Sequence, residues 1–356
     1  MKKYIGCDGH RDYSVFGGLD ENGAKIEPVR VEHRGDELAE FLSTLQPGTD
    51  IALEATGTWY HLVDAMENAG MKPHLAQAHA ARHLYGRGSH KFDERDCEGM
   101  AKLLSNGTLP EVWIPDARTR DLRNLVRSRL ALRQYQTCVK NRVLAALNRY
   151  GLREHGEHID LFRQKGRVRL SVYVGRLPEH TRWATIREWE IVDELEQRII
   201  EFNQQIRTHI GRIGWNRRLK TLPGIGDILA ATVQMEIGDI KRFPDPEHLA
   251  SYAGLVPVVH ASGNKIYLGP TSPRSNHFLR WAFVEAGNVV AARQKLWPDR
   301  HVVKLYKRVR DRKCHNKAVV AVGRHLAESS WWILTKAQDY REPQSTAASA
   351  SSSKNG

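Results

Sequence analysis

Two stretches of this chain constrain its fold more than any other feature. In residues 118–150, Leu122, Leu125, Leu132, Val139, Val143, Ala146 and Tyr150 recur at alternating steps of three and four, with Arg129 and Gln136 at the two seam positions that are not apolar. In residues 186–213, Val192, Leu195, Ile199, Phe202, Ile206 and Ile213 follow the same steps, with His209 in the other slot. This spacing predicts two long helices with coiled-coil seams. A helix over 118–150 is about 50 Å long, more than the diameter of a small domain. The segments on either side therefore need cores of their own. A hairpin within one chain and a coil between chains satisfy the seam equally well. The polar stretch between the helices, REHGEHIDLFRQKGRVR, is expected to be irregular.

The segment before the helices reads as α/β. Residues 3–8, 13–19 and about 25–32 have the character of short strands, and DENG at 20–23 is a hairpin turn signal. A helix over about 35–46, a buried strand ending at Glu54, a helix over about 58–69, a strand at 72–76 and helices at about 78–84 and 93–105 follow. This element order is that of the ribonuclease-H-like fold, an analogy of fold alone. The segment after the long helices is mainly helical. LPGIG (222–226) sits between two helical patterns, a short helix ends at Gly254, a glycine-rich basic loop follows, and helices are expected over about 277–293 and 314–339. The fold class is thus α/β plus α. Its regions are an acidic domain (1–112), a coiled-coil and linker region (113–218), a C-terminal domain (219–340) and a low-complexity tail (341–356) expected to be disordered.

With 54 Lys and Arg against 41 Asp and Glu, the net charge is +13, which favours a polyanionic partner. From Arg118 to Arg149 there are nine basic residues and one acid, Asp121. Arg118, Arg120, Arg123 and Arg127 are the candidates there for phosphate contacts. Cys7, Cys97, Cys138 and Cys314 have neither zinc-ligand nor redox spacing and are expected to be ordinary reduced thiols. No apolar run approaches the roughly 20 residues of a membrane span, and the start has no secretory pattern, so a cytoplasmic protein is expected.

Three constellations could carry chemistry. Asp8 and Glu54 end two strands that lie side by side in a ribonuclease-H-like sheet, and Asp93 and Asp96 share one face of a helix start. Clustered carboxylates repel unless a cation neutralises them. Mg²⁺, with Mn²⁺ as the second choice, suits such oxygen ligands and a phosphate substrate. Each acid alone reads as a helix cap or a surface charge. The second constellation is LPGIG, which resembles the turn of a helix-hairpin-helix module. Gly224 and Gly226 there would expose backbone N–H groups to a phosphate; a plain helix–helix turn explains it equally well. The third is Ser262 in HASGNK, followed by Lys265, Arg274, His277 and Arg280. A deprotonated serine among cations can attack a phosphodiester, although alone it is an ordinary loop serine. Ser272 and Ser275 compete for the role.

In order along the chain stand GCDGH, ALEATGTW, HKFDERDCEGMAKLL, LPGIGDILAATVQMEIGDIKRF, LASYAGLVP and SGNK. Together they resemble the insertion-sequence one-ten family of transposases, relatives of the Piv-type DNA invertases, over about residues 3–340. The resemblance implies a RuvC-like domain with an Asp-Glu-Asp-Asp set joined to a C-terminal transposase domain with a nucleophilic serine. Asp8, Glu54, Asp93 and Asp96 match the acids, and Ser262 matches the serine. The run TSPRSN after the serine departs from the family pattern at Pro273 and Ser275. The family also implies Mg²⁺ at the acids, a covalent serine–DNA link, donor and target DNA, and a structured guide RNA encoded by the element. A homodimer or homotetramer with sites shared between chains would follow if the coils pair. The competing functions are a RuvC-like metal-dependent nuclease, which needs only the acids, and a non-catalytic nucleic-acid scaffold.

Overall fold

A computed structural model describes residues 3–85, 93–153, 159–262, 265–271 and 275–343. The tail expected from residue 341 lies outside the described residues from 344 onward. The chain divides into two compact units, Met1–Ala117 and Arg118–Gly356.

The first unit is built on a five-stranded sheet: β1 (Lys3–Gly9), β2 (Tyr13–Asp20), β3 (Lys25–Glu32), β4 (Asp50–Glu54) and β5 (Lys72–Ala76). The strand order is β3-β2-β1-β4-β5. The first three strands form an antiparallel meander, whereas β4 runs parallel to β1 and β5 parallel to β4. The parallel pairings need crossovers, which α1 (Glu37–Ser43) and α2 (Trp59–Asn68) provide. Ile5, Cys7, Phe16, Leu42, Ile51, Leu53, Leu62 and Met66 pack into one core between sheet and crossover helices. After β5 come α3 (Ala78–Tyr85) and α4 (Asp93–Ser105). The element order read from the sequence is the observed one, with helix ends shifted by up to three residues.

The second unit begins with α5 (Ala117–Arg149), followed by α6 (Gln164–Gly175) and α7 (Glu179–His209). Within this one chain α5 and α7 lie antiparallel. Arg129 donates to Asn203 (3.0 Å), Gln136 to the Val192 carbonyl (3.1 Å) and Arg142 to Glu188 (2.8 Å), so positions rise along one helix as they fall along the other. The deepest residues of α7 are Thr185, Val192, Ile199 and Ile206, spaced by seven. Leu132, Val139, Leu195 and Phe202 are half-buried. The linker departs from expectation: its residues from Gln164 onward form α6, because Leu170, Tyr173 and Val174 bury against Val143 and Leu147 of α5. A short segment with apolar residues on more than one face becomes a helix once a hydrophobic surface lies beside it.

The remainder comprises α8 (Gly214–Leu219), α9 (Asp227–Ile237), α10 (Pro246–Tyr252), β6 (Pro257–Ser262), β7 (Lys265–Thr271), α11 (His277–Ala292), α12 (His301–Arg312) and α13 (His315–Lys336). The helices enclose one large core around Leu249, Leu279, Phe283, Val322 and Leu326. The stretch expected to be a loop is instead an antiparallel hairpin, β6–β7, closed by the pair Ser262 and Lys265. Among the described residues no helix is long and apolar enough to cross a membrane. All four cysteines are free thiols.

Candidate active site

The acidic residues of the first unit are arranged by strand register. Cys7 pairs with Leu53 across β1 and β4. Asp8 and Glu54 are the next residues along these two parallel strands, so they stand at the same end and on the same face of the sheet. Glu54 is buried at 5% exposure, and the Asp8 side chain is 13% exposed. The helix α4 lies on that same face. A Cβ on Gly6 would come within 2.0 Å of the Cys97 carbonyl oxygen, so only glycine lets α4 approach this closely. Asp96, half-buried, is the residue before that contact, and Asp93 opens the helix one turn earlier. The Asp93 side chain lies outside the described residues.

His10 and Arg82 are among the neighbours of these acids. His10 approaches Asp8 at 3.3 Å and stacks on Tyr13 with ring centroids 4.5 Å apart. Arg82 of α3 reaches Glu54 at 3.3 Å while remaining 57% exposed. Sequence reasoning missed Arg82, whose only signal is a basic residue on the helix after β5. The Cys7 thiol is held well above its usual range by burial first, with Cys97 and Asp8 adding to it. Among the described residues, no three His, Cys, Asp or Glu side chains form a group able to hold a metal ion. Two largely buried carboxylates on one face nonetheless make an oxygen-only donor set that suits a hard divalent cation.

In the second unit Ser262 ends β6 at the tip of the hairpin. The side chains of Ser262 and Lys265 lie outside the described residues, as do Ser272 and Arg274 entirely. Asn276 caps α11: its Oδ1 accepts from Phe278 and Leu279. Its Nδ2 donates to Glu236 Oε2 (2.8 Å). Glu236 is fully buried and also receives both arms of Arg127, each at 2.8 Å. Arg123 is buried beside it, donating to the carbonyls of Met235 and Glu236. Burial holds the Arg123 guanidinium below its ordinary range, against the pull of Glu236. Of the basic residues singled out on α5, Arg118 is exposed, Arg120 and Arg123 are buried, and Arg127 is bound to Glu236. A signal for Glu236 was present in sequence: an acid inside the apolar run AATVQMEI requires a buried cation.

The LPGIG turn is set by packing. Leu222 and Ile225 enter the core, and Gly224 has φ +83°, with a notional Cβ 2.4 Å from the Ala286 carbonyl oxygen. Gly226 precedes α9, and a cavity of about 550 Å³ in front of the turn is bordered by Arg207, Lys220, Arg293 and Arg300. Lys220 and Arg207 both bind Asp227, and these hydrogen bonds, that of Lys220 foremost, hold its carboxyl below the usual range.

Two family profiles match the chain in order: the DEDD-type transposase of the IS110 kind over residues 5–152, and the transposase IS116/IS110/IS902 family over 216–302. This chain belongs to the IS110/IS116/IS902 family of transposases. As such it is an enzyme of the class that cuts and rejoins DNA, and its DEDD type of domain suggests a divalent metal ion. It is 25% identical to the transposase for insertion sequence element IS1111A of Coxiella burnetii, over 95% of this chain and 91% of that one. It is 24% identical to the transposase for IS1328 of Yersinia enterocolitica, over 84% and 87% of the two chains. It also resembles the pilin gene-inverting protein of Moraxella bovis, at 31% identity over 33% and 35%.

Proposed function

We propose that this transposase recombines DNA through a divalent-ion site on a RuvC-like domain and a serine nucleophile on a separate C-terminal domain. The observation that carries the reading is the register of β1 and β4, which brings Asp8 and Glu54 to one face beneath α4. The strand order β3-β2-β1-β4-β5 supports a ribonuclease-H-like fold. Asp8, Glu54, Asp93 and Asp96 would hold Mg²⁺, which when bound polarises a phosphodiester and stabilises the departing oxygen. For that, Glu54 must exchange the guanidinium of Arg82 for the ion. Both pairings offset the same buried carboxylate, the arginine from solvent and the ion from the sheet face.

Ser262 is the proposed nucleophile. Its oxygen forms a bond to phosphorus as the bond from phosphorus to the leaving strand's oxygen breaks, and that oxygen takes up a proton. Arg280 and Lys265 stand near in sequence to offset charge on the phosphoryl oxygens. The tight LPGIG turn and its surrounding cations support a sequence-independent backbone grip of the helix-hairpin-helix kind. Donor and target DNA and a structured guide RNA complete the reading by family resemblance, and a dimer or tetramer with shared sites would follow if the long helices also pair between chains.

The test is incubation of the full chain with Mg²⁺ and the DNA of its own element, including flanking sequence, followed by denaturing electrophoresis. Wild type should yield a protein–DNA adduct that Ser262→Ala abolishes and Ser272→Ala preserves. An adduct that survives Ser262→Ala would overturn the serine assignment. Free cut ends without an adduct would favour a metal-dependent nuclease. Mixing Ser262→Ala with Glu54→Gln chains should restore part of the activity if sites are shared between chains.

A further inference from the structure

Where α12 turns into α13, these helices and the β6–β7 hairpin border a cavity of about 840 Å³. Its floor is apolar, with Leu255, Val309 and Val320. Its rim carries five cations, Arg280, Arg312, Lys313, Lys317 and Arg324, and among the described residues no carboxylate lines it. Arg324 is drawn toward Glu328 (2.7 Å). Among the described residues, none of Arg280, Arg312, Lys313 and Lys317 ion-pairs with an acid.

Folding alone gains nothing from this gathering. Like charges brought together repel. Arg312 closes α12, where a cation suits the helix dipole, but Lys317 lies in the first turn of α13, where a cation opposes it. That first turn contains no acid, and its capping residue Cys314 makes no side-chain cap hydrogen bond. Cations and helix N–H groups thus converge on one space from two directions. Both favour an anion there. The cavity is far larger than one phosphate needs. Among the described residues no aromatic side chain lines it, so a free nucleotide would find no stacking partner for its base. A sugar–phosphate strand fits better: its phosphates meet the cationic rim and its sugars the apolar floor.

We propose that this cavity seats the backbone of a nucleic-acid strand running beside the β6–β7 hairpin, a second phosphate grip beyond the LPGIG turn. Three of its cations lie between residues 312 and 317, past the segment that the family profile matches, which ends at 302. The proposal rests on the reading that the protein handles DNA.

The experiment is fluorescence anisotropy of the full chain across a salt series, with a labelled DNA duplex and, separately, a labelled single-stranded RNA. The variant replaces Arg312, Lys313 and Lys317 together by Gln. A control replaces three exposed arginines, Arg149, Arg176 and Arg182, by Gln, which removes the same charge elsewhere. For the probe that the cavity grips, the log–log salt slope should shrink by about 0.9 per lost contact on duplex DNA or about 0.7 on a single strand. Affinity at low salt should fall at least about tenfold, while the control keeps the wild-type slope. Lys313→Arg with Lys317→Arg should also keep it. Loss on DNA alone assigns the strand to DNA, and loss on RNA alone assigns it to RNA. An unchanged slope on both probes overturns the proposal, as does an equal change in the control. If wild type binds neither probe, the recombinase reading falls with it; if wild type binds and the variant matches it, only the cavity does. Should the triple variant melt before binding can be read, Lys313→Gln alone must still remove about one contact from the slope.

Discussion

Each of the two units buries a glutamate, and the two are treated differently. Glu236 in the second unit is sealed: Arg127 binds both its oxygens, Arg123 lies alongside, and Asn276 donates from the cap of α11. Glu54 in the first unit is nearly as deep, yet Arg82 meets it from a side chain that is still mostly in solvent. It also shares its sheet face with a second carboxylate, Asp8. A buried acid saturated by cations on neighbouring elements holds a fold together. A buried acid that shares its sheet face with another acid is the arrangement that the proposed cation site needs.

The largest effect that could break this contrast is on Glu236. Replacing it with Leu strands the buried guanidinium of Arg123 and the half-buried one of Arg127, and the second unit should lose about 3–5 kcal/mol, read as a lower midpoint in denaturant unfolding. Glu54→Gln should cost far less stability and abolish strand transfer. If Glu54→Gln unfolds the protein as severely as Glu236→Leu, the two acids play one structural role and the distinction fails.

The next effect separates the units by pH. His325 lies against His301 and near Tyr340 in the second unit. Burial first, and then His301, lower its pKa to about 4. A histidine unfolds to a pKa of about 6.5, so between these values the unfolded chain binds the proton that the folded one refuses. Stability is therefore complete above about pH 6.5, falls as pH drops, and levels off near pH 4, with a loss on the order of 3 kcal/mol. His325→Phe should flatten that decline in the unfolding transition of the second unit. A decline of the same steepness in the variant would assign it to other groups.

The smallest effect sharpens the comparison at the acids themselves. At a hundredfold excess over Kd, Mg²⁺ should stabilise the first unit by about 2.7 kcal/mol. Asp8→Asn and Glu54→Gln should each erase that gain, whereas Glu236→Leu should leave it in place. Stabilisation by Mg²⁺ that survives in Asp8→Asn would remove that residue from the site.

Much of the first unit is legible in the amino-acid sequence. Strands such as KYIGCDG and DIALE announce themselves by alternation or by continuous burial, and short loops leave little choice of order. The β6–β7 hairpin is not legible, since glycine and proline in HASGNKIYLGPT hide its pairing, and neither is α6, which forms only against α5. The basic residues of α5 illustrate the limit most directly. Composition draws attention to Arg123 and Arg127 as phosphate contacts, but Arg127 finds its partner Glu236 across 109 positions of sequence.

The sequence by itself determined the two long helices, the alternating strands, and the positions at which acids stand near the ends of β1 and β4, because each of these rests on local periodicity. Only the tertiary structure decided that α5 folds back on α7 within the chain, that α4 seats on Gly6 beside Asp8, and which arginines are spent on a buried carboxylate. Those outcomes depend on groups far apart in the chain meeting in a low-dielectric interior, where one partner's presence changes what the other can do.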